Sequence, residues 1–479
     1  MHRRWLKVIG VMSLAAGLVF LARRRPGYFS TPSYLAGFIF FEFLALIIFN
    51  YRQAFFPVLM IVFLLAGSIV PGHELWISAR WAVLSLGALA GLVLWFRLPR
   101  QRLGLFHLLA FACVLSAGVS AAVSAYPEEA LLKTFSLFLL FAYAAAGARA
   151  AVIEREEQFF SALLLGAEGL VYLSALSYFG LRWELFGNRN SLGVVMGVIA
   201  LPILLWGHVI TEAGFTRCRR IGALLLCIVL LLCSYERAGI VAGAISSALL
   251  CLGLRRYRLL IAGLGIALLA APVITAFVPL PAATPSDVDS VTTRFVYKGK
   301  RDAGILASRE TVWQTTVSSL HQHRWLGTGF GTSATAYDKT EVAPKFSSAT
   351  QASREHGNSY LEILDWVGVL GAVPFFILLI FVLTRAARVF LWMRRSGSPY
   401  SPAVPLAVFA AGALVHAGFE DWLFAVGYHT CVLFWTFAFL LNDSVPYGSP
   451  VLVPDSAESV GNALSGTIDI AAAQACTSF

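Results

Sequence analysis

Arg237, Arg309 and His356 are the side chains of this chain whose types and settings best suit catalysis. A guanidinium presents a planar fork of N–H donors that matches phosphate oxygens two at a time. An imidazole changes charge near neutral pH and takes a proton from an attacking hydroxyl. Arg237 lies in Ser234-Tyr235-Glu236-Arg237-Ala238-Gly239, a connector just long enough to turn the chain between two apolar stretches. Its plain role is to reach lipid headgroups; its functional role is to aim a guanidinium into the mouth of a helix bundle. Arg309 stands four residues before Trp313, which puts both on one helical face, and a cation resting on a ring is the simpler account of that pair. His356 falls in Arg354-Glu355-His356-Gly357-Asn358-Ser359-Tyr360-Leu361-Glu362, at the lower edge of a polar segment. A lone histidine is more often structural, and His321 and His323 beside Arg324 read as a solvated helix end. Two convergent arginines with a nearby base would suit cleavage at a diphosphate: the cations meet the charge growing on the leaving group, and the base activates the nucleophile.

The elements that must position these groups are membrane helices. Of 479 residues, 58% are hydrophobic and 13% charged, against about 45–50% and 25% in a soluble protein. At about 20 apolar residues per span, candidates fall at 6–22, 33–50, 54–71, 80–97, 104–123, 130–150, 158–180, 190–208, 221–235, 238–255, 258–279, 363–384, 403–419 and 424–441. The expected fold is all-α: a polytopic membrane helical bundle of about twelve to fourteen transmembrane helices, since a lipid-facing backbone must satisfy its own hydrogen bonds. The expected organisation is N-terminal transmembrane helices over 1–279, a periplasmic loop with amphipathic helices over 280–362, C-terminal transmembrane helices over 363–441, and a disordered cytoplasmic tail over 442–479 rich in Ser, Ala, Gly and Pro. The net charge of +10 does not point to nucleic acid, because the cations cluster in connectors of one side: Arg97/Arg100/Arg102, Arg217/Arg219/Arg220, Arg255/Arg256/Arg258 and Arg385/Arg388/Arg394/Arg395. That asymmetry marks the cytoplasmic face and puts the long polar segment outside. Arg23, Arg24 and Arg25 break the pattern: either the first apolar stretch does not span or the first hairpin is unusual. The first 22 residues resemble a signal peptide that is retained as an anchor.

Other candidates carry less. Asp287 and Asp289 in a Pro/Ser/Thr loop could hold a divalent ion, but such acids are usually just solvated, and the expectation is no metal and no cofactor. Gly327-Thr328-Gly329-Phe330-Gly331 resembles a nucleotide loop only superficially, with no strand before it; a turn that lets the backbone pass close to a neighbour is the better account. Glu42 lies within a span, where ionisable groups are costly, and stands alone among the spans. Glu420 and Asp421 are reserve candidates for a base. The cysteines sit in apolar spans or on the cytoplasmic side, which indicates packing rather than disulfides.

The ordered landmarks Asn188-Arg189-Asn190-Ser191-Leu192-Gly193, the Ser234–Gly239 turn, Arg309 with Trp313, the Gly327–Gly331 run and His356–Glu362 resemble those of the O-antigen ligase and polymerase superfamily, over roughly Gly104 to Leu441. Those are membrane glycosyltransferases that draw a glycan from an undecaprenyl diphosphate carrier. The resemblance implies that Arg237 and Arg309 hold the diphosphate and His356 activates the acceptor hydroxyl, with Asn190, Trp313, Asn358 and Tyr360 in support and no metal. Family members often have asparagine directly after the histidine, whereas Gly357 intervenes here. The expected partners are the undecaprenyl diphosphate-linked glycan donor, a lipid A core or other glycan acceptor, and membrane lipids. The expected place is the bacterial inner membrane, multi-pass, with the active face periplasmic. The leading expectation is an inverting O-antigen ligase. A repeat-unit polymerase or protein O-oligosaccharyltransferase shares the donor, and a transporter of the lipid-linked glycan would instead carry its polar groups near the midplane of paired repeats.

Overall fold

A computed structural model describes residues 52–68, 73–95, 104–149, 152, 156–211, 214–277, 307–332 and 356–444. The expected spans 6–22 and 33–50, Glu42, Asp287, Asp289 and the tail beyond 444 lie outside the described residues. Among the described residues all regular structure is helical, and seven helices are long and apolar enough to cross a membrane. The chain is an all-α polytopic membrane protein.

In chain order α1 (Arg52–Ala66), α2 (His73–Trp95), α3 (Leu105–Val123) and α4 (Pro127–Ala148) come first. Then come α5 (Glu156–Gly180), α6 (Arg189–Ile210), α7 (Phe215–Ser234), α8 (Arg237–Gly253) and α9 (Tyr257–Phe277). They are followed by α10 (Ala307–Gln322), α11 (Ser359–Ser396), α12 (Ala403–Ala417) and α13 (His429–Ser444). Two compact units result. One holds α1–α4, α10, the first part of α11 and α13; the other holds α5–α9, the end of α11 and α12.

In the first unit α2 and α4 meet backbone to backbone, because a Cβ on Gly91 would lie 2.4 Å from the Gly147 nitrogen. Without side chains in the way, dispersion contacts replace the hydrophobic drive that lipid does not supply. α11 breaks at Gly368, whose φ of 68° is open to glycine and costly for other residues. A break inside a membrane helix strands backbone groups, and these find partners nearby. The Thr328 N–H donates to the Asp365 carbonyl at 2.9 Å, Gly329 N–H to Trp366 at 3.0 Å, and Val369 N–H to Arg324 at 2.8 Å. Three serines spaced four apart, two on α3 and one just past its end, extend the seam: Ser116 donates to the Gly371 carbonyl at 2.7 Å, Ser120 to Trp366 at 2.5 Å, and Ser124 to Thr328 at 2.9 Å. The glycine run 327–331 is thus a close-packed turn against α11, with Gly327 over the Trp366 carbonyl.

In the second unit α6 and α8 cross on facing glycines. A Cβ on Gly193 would strike the Glu236 side chain at 2.3 Å, and one on Gly197 would lie 2.3 Å from the Gly239 carbonyl oxygen. Tyr235, at φ 52°, ends α7. Glu236 then caps α8, accepting from the N–H groups of Ala238, at 3.1 Å, and Gly239. That cap leaves Arg237 as the first helical residue. His416 Nε2 approaches Glu236 Oε1 at 3.7 Å, with both side chains buried.

Candidate active site

The site in the first unit is built where α10, the start of α11 and the loop 418–428 come together. Asn358 caps α11, its Oδ1 accepting from Tyr360 N–H at 2.8 Å and Leu361 N–H at 3.2 Å. Ser359 locks the loop onto that helix start: its hydroxyl donates to the Glu420 carbonyl at 2.7 Å and accepts from the N–H groups of Trp422 and Leu423 at 3.1 Å. The residue pair 420–421 is thereby held beside His356.

His356 is buried, and each part of it is fixed. Its backbone N–H donates to Asp421 Oδ2 at 2.8 Å, with the Gly357 N–H on the same oxygen at 3.3 Å. Its ring Nε2 lies 3.1 Å from Asp365 Oδ2, and the edge of the ring meets Trp366 with centroids 6.1 Å apart. Glu362, fully buried one turn before Asp365 on the same face, completes a surround of three carboxylates. A positive charge gained by the imidazole falls among these acids and is stabilised by them.

Arg309 and Trp313 do share a face of α10, but the arginine pairs with Glu420 rather than lying on the ring. Trp313 Nε1 instead donates to the Gly357 carbonyl at 3.2 Å. Both residues therefore address the Gly357 turn, Arg309 through its guanidinium and Trp313 through its indole. Gly357 itself has φ +59°, and a Cβ there would sit 2.5 Å from Arg309 Nη1. The glycine that separates His356 from Asn358 is the residue that lets the guanidinium rest on the backbone beside the imidazole.

The structure thus brings Arg309, Trp313, His356, Asn358 and Tyr360 together in one unit. Arg237 and Asn190 belong to the other, where the Gly193–Glu236 contact sets the head of α6 against the turn before α8. Glu420 and Asp421, reserve bases by sequence, are engaged with Arg309 and with the backbone at His356. Glu42 is not alone among the spans: Asp365 lies within the expected span 363–384 and Glu168 within 158–180, and both are buried. Asp365 was therefore open to discovery as a costly charge in an apolar run. Its partnership with His356 was not, because nine residues is no helical repeat and α11 starts only at Ser359. Ligand atoms of His356, Glu362 and Asp421 lie within 4.8 Å of one another, a spacing that a cation can bridge. Since His356 Nε2 and Asp421 Oδ2 already have protein partners, the group reads as a hydrogen-bonded frame.

A multi-pass helical membrane protein with a framed imidazole and a guanidinium beside it is the class that fold and site define. A family model described as O-antigen ligase matches residues 222–376, a stretch that contains Arg237, Arg309 and His356. The match supports the resemblance to the O-antigen ligase and polymerase superfamily, whose members are glycosyltransferase-like enzymes. No curated protein matches the chain.

Proposed function

We propose that the chain moves a glycan from an undecaprenyl diphosphate carrier to an acceptor hydroxyl on the periplasmic side, as an O-antigen ligase with lipid A core as acceptor. The observation that carries this reading is the buried His356–Asp365 contact of 3.1 Å with the Arg309 guanidinium across Gly357. His356 takes the hydroxyl proton as the acceptor oxygen bonds to the anomeric carbon. The bond from that carbon to the diphosphate breaks, and the electron pair leaves with the phosphate oxygen. Direct displacement inverts the anomeric centre, and no metal takes part. Arg309 meets the charge on the leaving group: a guanidinium has five N–H donors, and Glu420 orients it through Nη2. For Arg237 the assignment to the diphosphate rests on the resemblance alone. Asp365, 3.1 Å from Nε2, accepts a hydrogen bond from the ring and orients it.

The test begins with His356→Ala. Binding of undecaprenyl diphosphate should persist while transfer falls by about 10²- to 10⁴-fold, the usual worth of a general base; undiminished transfer would remove His356 from the reaction. Arg309→Ala and Arg237→Ala should each weaken binding of that diphosphate, and normal binding in both defeats the assignment. Deleting the gene in its own host identifies the acceptor. Long unattached chains mean ligation, single units on core mean polymerisation, and loss of glycan from protein means protein glycosylation.

A further inference from the structure

The second unit gathers arginines around a cleft of about 740 Å³. Arg217 comes from the first turn of α7, Arg255 and Arg256 from the turn between α8 and α9, and Arg258 from the first turn of α9. His208 and Thr211, at the end of α6, complete the polar wall. No carboxylate among the described residues lines it. The buried Glu168 is already taken by Arg219 at 2.7 Å and Arg220 at 3.3 Å.

Four like charges repel when folding brings them together, and the chain holds them there by a costly turn. Arg255 has φ 56°, a left-handed conformation rare for a side chain of its size. Its guanidinium donates to the Arg394 carbonyl at 3.2 Å, and the Arg256 N–H reaches the Cys251 carbonyl at 2.7 Å. The preference for cations on the cytoplasmic side sets how many arginines a connector has; it does not require them to converge on one cavity.

A second feature starts at the same place. Tyr257, Ile261, Leu264 and Leu268 fall on one stripe of α9 and are 47%, 70%, 60% and 65% exposed. The stripe begins at the cleft and runs along the helix into the span. A polar anion would use the arginines alone, whereas an amphiphile with phosphate at its head and acyl chains below would use both features.

We propose that this cleft is a binding site for an anionic phospholipid, with headgroup phosphates held by Arg217, Arg255, Arg256 and Arg258 and acyl chains laid on the Tyr257–Leu268 stripe. Four guanidinium groups match a lipid with two phosphodiesters better than one with a single phosphodiester, since each planar fork takes two phosphate oxygens. Basic pockets at the cytoplasmic ends of helices are a known way of reading lipid headgroups. The proposal is independent of the glycan-transfer reading.

The test uses the full-length protein in neutral detergent, followed by native mass spectrometry and thermal unfolding. The probes are diphosphatidylglycerol, phosphatidylglycerol, phosphatidylcholine and inorganic pyrophosphate. Saturable binding of diphosphatidylglycerol is expected, several-fold tighter than phosphatidylglycerol, with no shift from phosphatidylcholine or pyrophosphate. The variant with Arg217, Arg255, Arg256 and Arg258 all changed to Gln should bind at least tenfold more weakly. A variant with Arg388→Gln and Arg395→Gln, which leaves the cleft intact, should bind as the parent does. Arg258→Gln alone should weaken binding measurably and serves if the fourfold variant does not fold. Equal loss in the Arg388/Arg395 variant would mean that bulk positive charge suffices, and the site would fall. Pyrophosphate binding as tightly as the lipid would make it a site for a soluble anion, and equal binding of phosphatidylcholine would remove any charge selectivity; either result overturns the proposal.

Discussion

On the proposed reading of His356 as the base, Asp365 is its positioning residue, 3.1 Å from Nε2. In the proposed reaction the carboxylate accepts from Nε2 and holds the ring in one tautomer. Asp365→Asn offers an amide N–H in place of that acceptor and favours the opposite tautomer. Transfer should then drop by roughly 10- to 10⁴-fold, while undecaprenyl diphosphate binding and unfolding temperature stay near those of the parent; unchanged transfer would assign Asp365 to packing alone. For the parent protein, transfer should decline as the external pH is lowered and the imidazole takes up a proton. A flat profile down to pH 5 contradicts a histidine base. At this scale the sequence was partly legible. The types of Arg309 and His356 and their place in a polar segment were readable, because charge and titration are properties of single residues. How the site is completed was not, although Glu420 and Asp421 stood out as reserve bases. Asp421 and Glu420 reach it through a loop more than sixty residues on, and Gly357 looked like an interruption until its φ and its nearness to Arg309 gave it a purpose.

Among the elements, helix faces that meet without side chains decide the packing. Gly193 and Gly197 on α6 confront Gly239 and Gly243 on α8, each pair four residues apart. Such spacing repeats once per turn and lets two backbones approach where lipid gives apolar side chains no reason to associate. Gly197→Val should place a methyl group where the Gly239 carbonyl now lies, destabilising the fold by roughly 1–3 kcal/mol, seen as an unfolding temperature in detergent several degrees lower. Gly263→Val on α9, where nothing lies within 4 Å of the added Cβ, should unfold as the parent does; a similar loss there would mean that helix propensity, not contact, is being measured. Hydrophobic runs announced these helices, since a span needs little more than length and apolarity. Their partners were less visible. The glycine spacing stands in the sequence, but it matches any pair of helices with small residues and selects none. Ends differed too: the expected span 363–384 is part of α11, which runs on to Ser396, because arginines such as Arg388 and Arg395 are good helix formers and the apolar rule marks only the lipid-bound part.

For the molecule as a whole, composition alone gave the class, because 58% hydrophobic residues leave no soluble alternative. Orientation rests on the cation asymmetry and yields a direct check. Cys218 is exposed at the start of α7, beside the arginine cluster assigned to the cytoplasm. A membrane-impermeant maleimide should leave Cys218 unlabelled on intact cells and label it after lysis. A cysteine placed at the exposed Ser318 of α10 should react from outside. The reverse pattern would invert the assignment and put the imidazole on the wrong face for a lipid-linked glycan displayed outside. The break at Gly368 bears on how such an enzyme tolerates its surroundings. The turn that carries Asp365 is tied by hydrogen bonds to residues 328–329 and to Ser120 of α3, and the turn just past the break is held too, Val369 by Arg324 and Gly371 by Ser116. A bilayer that thickens or thins tilts long spans, and a helix stapled on both sides of its break passes that tilt to α3 and to residues 324–329, which keeps His356 and Asp365 in register.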